Sequence, residues 1–530
     1  MTETLQNHGE VFTRLWVVET MLDLSGYTPD RPLHALRAIE PSVGSGAFWV
    51  PMVERLLSSL DGDTAPDISG ALRGYDLLPP HIETCKKETV RLLTAAGYCI
   101  TEAQEIADEW LRVADFLLDD DDTSADFVIG NPPYIRSDEL DQNAEIRYRE
   151  LWPTMTGRAD IYVGFYERGL RLLSPNGRLA YICADRWMRN AYGARLRAFV
   201  SSDFAVEVVW QMHDVNAFEA EVSAYPAITV IRNADQEKAV VAECHEAFDS
   251  LSAAALTAFT LGGDDTLHAS SFAAHRMTGW FEGTDLWPAG DPDRIALLED
   301  LNERFPTLEE TGVKVGIGVA TGADKAYIVD KDFDVEPDRK LPMVMTDDMR
   351  FGPFVWGGKV LLNPWGEDGQ LIDLDAHPKL KAAYESHPKL KDRYVAKKQP
   401  AAWFKTIDKV DPTLTPKPKL LLQDMKARIT PVYEAGGFYP HHNLYYMVSD
   451  TWDLKVLGGL MLSSIAQAFI EAYGVKMRGG TLRFQAQYLR KIRVPHPNEI
   501  DPTIAKELAA AFDAGDRDEA SRLSAIAYGI

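Results

Sequence analysis

The chain has 530 residues, 46% of them hydrophobic and 25% charged, with a formal net charge of -25. That length exceeds one ordinary core, so two or three domains are expected, and the composition excludes a disordered chain. Taken whole, the acidity argues against a nucleic-acid partner, but residues 377–428 hold eleven lysines and two arginines against five acids.

In chain order, the first twelve residues show neither a basic n-region nor an apolar run, so no secretory leader is read there. Residues 33–39 read as a strand ending at Glu40, followed by a glycine turn and a helix over 47–60. A second strand at 72–75 precedes a helix over 79–96 that opens on prolines, which suit a first helical turn. Residues 101–110 look helical and 111–114 extended; a fourth strand at 127–129 runs into Asn131-Pro132-Pro133-Tyr134. An amphipathic helix over 160–173 stops at Pro175-Asn176-Gly177, and strands at 178–184, 206–211 and 228–232 follow. Such alternation predicts an α/β fold on a largely parallel sheet. Beyond Cys244 the alternation fades among Gly, Pro, Trp and Lys clusters, so a boundary is placed near 245. The expected domains are 1–245, a mixed α/β domain over 246–498, and a helical tail over 499–530. The longest apolar stretch, 457–470, is broken by glycines, serines and a glutamine and is too short to span a bilayer. Cys85, Cys99, Cys183 and Cys244 lie far apart without zinc spacing, so free thiols in a reducing cytoplasm and no metal are expected. The run Asp119 to Asp122 reads as a solvated loop.

Chemistry-bearing residues gather at strand ends. Glu40-Pro41-Ser42-Val43-Gly44-Ser45-Gly46 places an acid at a strand terminus and then a Gly-x-Gly turn opening a helix, as in nucleotide-type sites. It lacks the third glycine of the dinucleotide fingerprint. Asp76, ending the second strand, can accept both hydroxyls of a ribose; it can equally cap the helix that follows. Asp115 can accept from an adenine amino group and Phe116 can stack on the ring, or the pair can be a turn acid and a core Phe. The sharper signal is Asn131-Pro132-Pro133-Tyr134. Two prolines end the strand, and the Asn131 side-chain oxygen and Pro132 carbonyl then converge as two acceptors for one amino group, with Tyr134 as a stacking surface.

The order of these motifs resembles the gamma class of adenine-N6 DNA methyltransferases, whose type II modification enzymes include TaqI-like proteins. Gly9-Glu10-Val11-Phe12-Thr13 matches the opening Gly-x-x-x-Thr, with Arg14 where the family has Pro. Glu40 to Phe48 match the glycine motif, with Ser42-Val43 in place of Ala-Cys. Asn216-Ala217-Phe218 with Val222-Ser223-Ala224 resembles the loop that gives a second aromatic to a flipped base. The likeness is good over 8–233. Beyond it, Gly316 to Gly322 and Arg483 to Pro495 resemble recurrent target-recognition segments.

The resemblance implies a Rossmann-like S-adenosylmethionine-dependent methyltransferase domain followed by a target-recognition domain. It assigns Thr13, Glu40, Ser42, Gly44, Gly46, Asp76, Asp115 and Phe116 to the cofactor. Asn131, Pro132, Tyr134 and Phe218 go to an adenine flipped from double-stranded DNA, and Lys397, Lys398 and Lys405 to phosphates. Direct transfer needs no metal and no covalent enzyme intermediate. A monomer with a separately encoded endonuclease is expected, since no nuclease constellation appears. Two rivals are a protein glutamine-amide N5 methyltransferase, whose planar amide also suits Asn-Pro-Pro-Tyr, and a catalytically idle DNA-specificity subunit. Almost 300 residues after the catalytic region speak against the first, and the intact Asn131 motif with Asp76 against the second.

Overall fold

Ten strands of the first half pair into one sheet in a computed structural model that describes residues 12–60, 67–220, 225–278, 282–287, 290–349, 354–474, 476–477 and 481–530. They are β1 (Ala38–Glu40), β2 (Leu72–Asp76), β3 (Leu111–Val113), β4 (Ala125–Gly130), β5 (Leu173–Ala184), β6 (Ala205–Gln211), β7 (Pro226–Arg232), β8 (Ala239–Cys244), β9 (Thr266–His268) and β10 (Phe272–Met277). Their order is β3-β2-β1-β4-β5-β7-β6-β8-β10-β9. The first five run parallel, and β7 lies antiparallel between β5 and β6. The order reverses between β1 and β4, and a doubly wound sheet opens its ligand crevice at the carboxyl ends of such a pair.

Helices cover both faces, which is why β1 and β2 are buried along their whole length instead of alternating. Ala38, Phe127, Ala180 and Ile182 join a core with α1 (Leu15–Ser25), α2 (Trp49–Ser58), α3 (Pro79–Ala95) and α4 (Ile100–Trp110). Their chain neighbours Ile39, Val128 and Tyr181 face the opposite core, built with α5 (Gln142–Leu151) and α6 (Tyr162–Arg171). Trp49 and Trp110 are fully buried, and each indole N–H is satisfied, by Thr89 Oγ1 and the Ser69 carbonyl, both at 2.8 Å. Truncating either to Ala would cost about 3–5 kcal/mol.

Several expectations shift. Residues 33–35 form a 3-10 turn, and the first strand starts only at Ala38. Pro175-Asn176-Gly177 lies inside β5, where Asn176 takes a left-handed φ of 65° and donates its N–H to the Asn233 carbonyl. The boundary read at 245 falls too early. The sheet continues through β8, β10 and β9, and the first compact unit runs Met1–Ala296, the second Leu297–Ile530. The reason is compositional: Phe-Ala-Ala-His-Arg-Met in β10 carries no strong strand signature.

In the second unit, β11 (Val313–Ile317), β19 (Leu444–Ser449), β15 (Lys419–Gln423) and β17 (Val432–Glu434) pair in that order; β12 (Ile328–Asp330), β14 (Lys359–Leu362), β13 (Lys340–Val344) and β18 (Tyr439–Pro440) form another sheet. β16 (Met425–Lys426) belongs to a smaller one. Residues 499–530 are helical as expected, but they are no loose tail. Helices Pro502–Ala514 and Arg517–Tyr528 pack on Leu454–Leu462, whose Gly458 and Gly459 leave room for them. A Cβ on Gly458 would meet the Phe512 ring at 2.7 Å, and one on Gly459 the Leu508 carbonyl oxygen at 2.6 Å. The apolar stretch is thus split between two largely buried helices, Leu454–Leu462 and Ser464–Tyr473, that bend by 64° at Ser463. Among the described residues no single helix is long and apolar enough to cross a membrane.

Candidate active site

The turn after β1 is shaped by glycines in left-handed backbone, Gly44 at φ 51° and Gly46 at φ 99°, where a side chain would be strained. Two bonds pin it to the end of β2: Val43 N–H donates to the Tyr75 carbonyl at 2.9 Å, and Gly44 N–H to Asp76 Oδ2 at 2.9 Å. Asp76 Oδ1 accepts from Leu78 N–H at 2.8 Å, just before α3, and lies 3.2 Å from His81 Nδ1. Asp76 therefore holds the helix entry and the glycine turn together.

A cleft opens here, lined by Thr13, Glu40, Ser42, Gly44, Asp76, Asp115, Phe116 and Asn131 among others. Of the residues assigned to cofactor, only Gly46 is absent from the wall; it shapes the turn behind it, its Cβ position 3.4 Å from Cys85 Sγ. The lining holds three carboxylates and neither Lys nor Arg, which suits a cationic ligand. Glu40 is 1% exposed, and its Oε2 has no hydrogen-bond partner among the described residues. Burial, and secondarily the nearby Asp76, pushes its carboxyl well above the usual range. The three carboxylates suit a sulfonium compound that carries an ammonium group.

Asp115 Oδ1 accepts from Leu117 N–H at 2.9 Å, and Oδ2 from the Tyr148 hydroxyl at 2.6 Å. Phe116 does not offer the stacking face expected of it. Its ring is 2% exposed, against Tyr75 and Phe165 at centroid distances of 5.4 and 5.3 Å, with the Arg168 guanidinium 5.1 Å from its centroid. Ile135, Ile161 and Phe165 line the same cleft beside it. Sequence reading missed these, along with His81 and Tyr148. Tyr148 sits on α5, whose capping Asp141 accepts from Asn143 and Ala144 N–H and could have flagged that helix.

The Asn131 motif closes the other end. Asn131 Nδ2 donates to Thr13 Oγ1 at 3.1 Å, which leaves the oxygen as the accepting end of the amide. Thr13 also forms an antiparallel bridge with Phe218, flanked by Arg14 N–H to the Ala217 carbonyl at 3.0 Å and Glu219 N–H to the Phe12 carbonyl at 2.9 Å. Tyr134 and Phe218 face each other edge to face, centroids 6.3 Å apart at 82°. Pro132 is buried. Gly9 to Val11 and Val222 to Ala224 lie outside the described residues.

The acidic run is a loop, exposed at Asp120 and Asp122 but tied down at the other two acids. Asp121 lies 3.0 Å from Arg37 and 3.5 Å from Arg73, and Asp119 3.6 Å from Arg112. In the second unit, Lys397 and Lys398 are exposed on the short helix Tyr394–Lys398 and make no ion pair among the described residues. Lys405 is half-buried and donates to Gln399 Oε1 at 2.5 Å. Lys379 and Lys381 are paired with Asp334 and Asp375, so part of the basic stretch is neutralised locally.

A switch-point crevice with a glycine turn and an acidic lining, followed by a second unit, fits an S-adenosylmethionine-dependent methyltransferase. A family model described as Eco57I restriction-modification methylase matches residues 81–218. Type II methyltransferase M.PaeR7I of Pseudomonas aeruginosa is 42% identical over 99% of this chain and 92% of its own length. M.XhoI of Xanthomonas vasicola is 42% identical over 98% of this chain and 97% of its own. The solved structure of the type IIL restriction-modification enzyme MmeI in complex with DNA shares the fold, with a TM-score of 0.57 at 12% identity over 97% of this chain and 73% of that one. The chain belongs to the type II DNA methyltransferases of restriction-modification systems. The protein-amide reading is set aside accordingly.

Proposed function

We propose that the enzyme methylates N6 of an adenine flipped out of double-stranded DNA. The observation that carries this is the Asn131 amide, its nitrogen end engaged by Thr13 and the motif flanked by Tyr134 and Phe218. Asn131 Oδ1 and the Pro132 carbonyl accept the two amino hydrogens and draw the nitrogen lone pair out of conjugation. Tyr134 and Phe218 replace lost base stacking, worth about 1–3 kcal/mol per base; from their edge-to-face arrangement one ring must turn to clasp a base. Asp76 holds the cofactor's ribose, Glu40 its cationic end, and Asp115 the amino group of its adenine; Ser42, Gly44, Gly46 and Phe116 shape the wall. The cofactor supplies the methyl group, and positioning rather than acid–base chemistry does the rest.

Sequence choice is assigned to the second unit, with Lys397, Lys398 and Lys405 on phosphates. The enzyme acts as a monomer in the cytoplasm, with a separately encoded endonuclease as its counterpart. The test is direct: incubate duplex DNA with enzyme and labelled cofactor, digest, and identify the modified nucleoside by mass. N6-methyladenine is expected; methylcytosine alone would overturn the reading.

A further inference from the structure

The adenine end of the cleft contains a second polar group beside Asp115. Tyr148 is 5% exposed, lines the cleft and places its hydroxyl 2.6 Å from Asp115 Oδ2. Tyr148 is the donor and the Asp115 oxygen the acceptor. Burial, and then the Asp115 carboxylate, pushes the phenol above its ordinary pKa, so it keeps this proton at neutral pH. The pair is also mechanically fixed. Just beyond α5, Trp152 Nε1 donates to the carbonyl of Leu117 at 3.0 Å, on the loop that carries Asp115. Arg149, on the same helix, donates to the Met155 carbonyl at 2.8 Å.

With its one proton committed to Asp115, the Tyr148 oxygen has only lone pairs left to offer. We propose that Tyr148 and Asp115 form an all-acceptor edge that selects the exocyclic amino group of the cofactor's adenine and rejects a base carrying oxygen there. The inference rests on the assignment of Asp115 to that adenine. An amino group brings two N–H donors to two acceptors. A 6-oxo group sets lone pairs against lone pairs, and that mismatch discriminates far more strongly than a missing methylene. Tyr148 is thus a specificity-determining residue remote from the methyl transfer itself.

Calorimetry on the full chain with S-adenosylhomocysteine and S-inosylhomocysteine tests it. The wild type should prefer the adenosyl compound strongly. Tyr148→Phe should weaken the adenosyl compound about tenfold and leave the inosyl one within about twofold, so the preference shrinks about tenfold. A tyrosine that merely fills the core would weaken both equally. Asp115→Asn separates the two levels of the argument. If it alters the preference while Tyr148→Phe does not, Tyr148 is structural and the inference falls. If neither alters it, the adenine assignment of Asp115 falls as well. Should Tyr148→Phe not fold, 3-fluorotyrosine at this position keeps the shape and weakens the oxygen as an acceptor. It must narrow the preference in the same sense, and an unchanged ratio overturns the proposal.

Discussion

Replacing Thr13 with Val should slow methyl transfer about tenfold while both ligands still bind. Thr13 is 4% exposed, and its hydroxyl oxygen accepts from Asn131 Nδ2 at 3.1 Å. Valine keeps the branched shape, and the bridge to Phe218 uses main-chain atoms, so the local fold survives. What disappears is one neutral hydrogen bond, with a net worth of about 0.5–1.5 kcal/mol. That bond anchors the amide in its observed orientation, and without it the side chain turns more freely. A turned amide presents its own N–H donors to an amino group, donor against donor. Losing a preference of about 1.4 kcal/mol corresponds to a tenfold fall in the productive orientation. Single-turnover quench-flow with labelled cofactor at saturating DNA reads the step, and calorimetry reads cofactor affinity. Asn131→Ala should lose about 10²-fold or more, because it removes the acceptor itself. The double variant should be no worse than Asn131→Ala, since Thr13 acts through Asn131. A near wild-type rate for Thr13→Val, or losses that multiply in the double variant, would refute the reasoning. Weakened cofactor binding at an unchanged rate would move Thr13 into the cofactor site alone.

Phe218→Ala should impair flipping more than chemistry: 2-aminopurine at the target position should brighten less on binding, and full brightening would count against the clasp with Tyr134. Changing Lys397 and Lys398 together to Ala should weaken binding at all DNA sequences alike and lower the slope of log affinity against log salt by about 1.8; loss of fold stability without a change in slope would make them structural. Cofactor affinity should rise with pH. Glu40 is held protonated by burial, and a cationic ligand favours its ionised form, so binding releases a proton below the raised pKa. The same shift makes the ligand-free fold lose stability as pH climbs from about 4.5 towards the raised value, because the unfolded chain ionises first. Calorimetry in buffers of different ionisation heat measures the proton, and Glu40→Gln should abolish the pH dependence.

Much of the catalytic unit was readable because parallel strands buried on both faces leave apolar runs, and chemistry is confined to where those runs stop. Glu40, Asp76, Asp115 and Asn131 each stand at or just beyond such a stop, and the fold brings all four to one cleft. Phe116 shows the limit of this logic. A strand-end aromatic can turn towards ligand or core, and only the positions of Phe165 and Arg168 decide. Tyr148 was hidden for a different reason. It enters from a helix with many charged residues whose one buried position gives no periodic apolar stripe. The later boundary was missed because β9 and β10 complete a sheet edge with residues of no marked β preference. The ion pairs of Asp119 and Asp121 depend on arginines contributed from 37, 73 and 112, a convergence that linear spacing does not display.

The pairing of Thr13 with Phe218 has a consequence for how the enzyme comes into being. The two partners lie at opposite ends of most of the catalytic sequence, and Asn131 leans on the same threonine. A chain emerging from the ribosome can close its first βα units early, from contacts near in sequence. The base-holding end must wait until residue 219 is free to hydrogen-bond with Phe12. Contacts of such long sequence separation form late and slowly. A partly synthesised chain can therefore form the glycine turn before the Thr13–Phe218 bridge. A chain released before that point could form neither the Thr13–Phe218 bridge nor the hydrogen bond from Glu219 to Phe12.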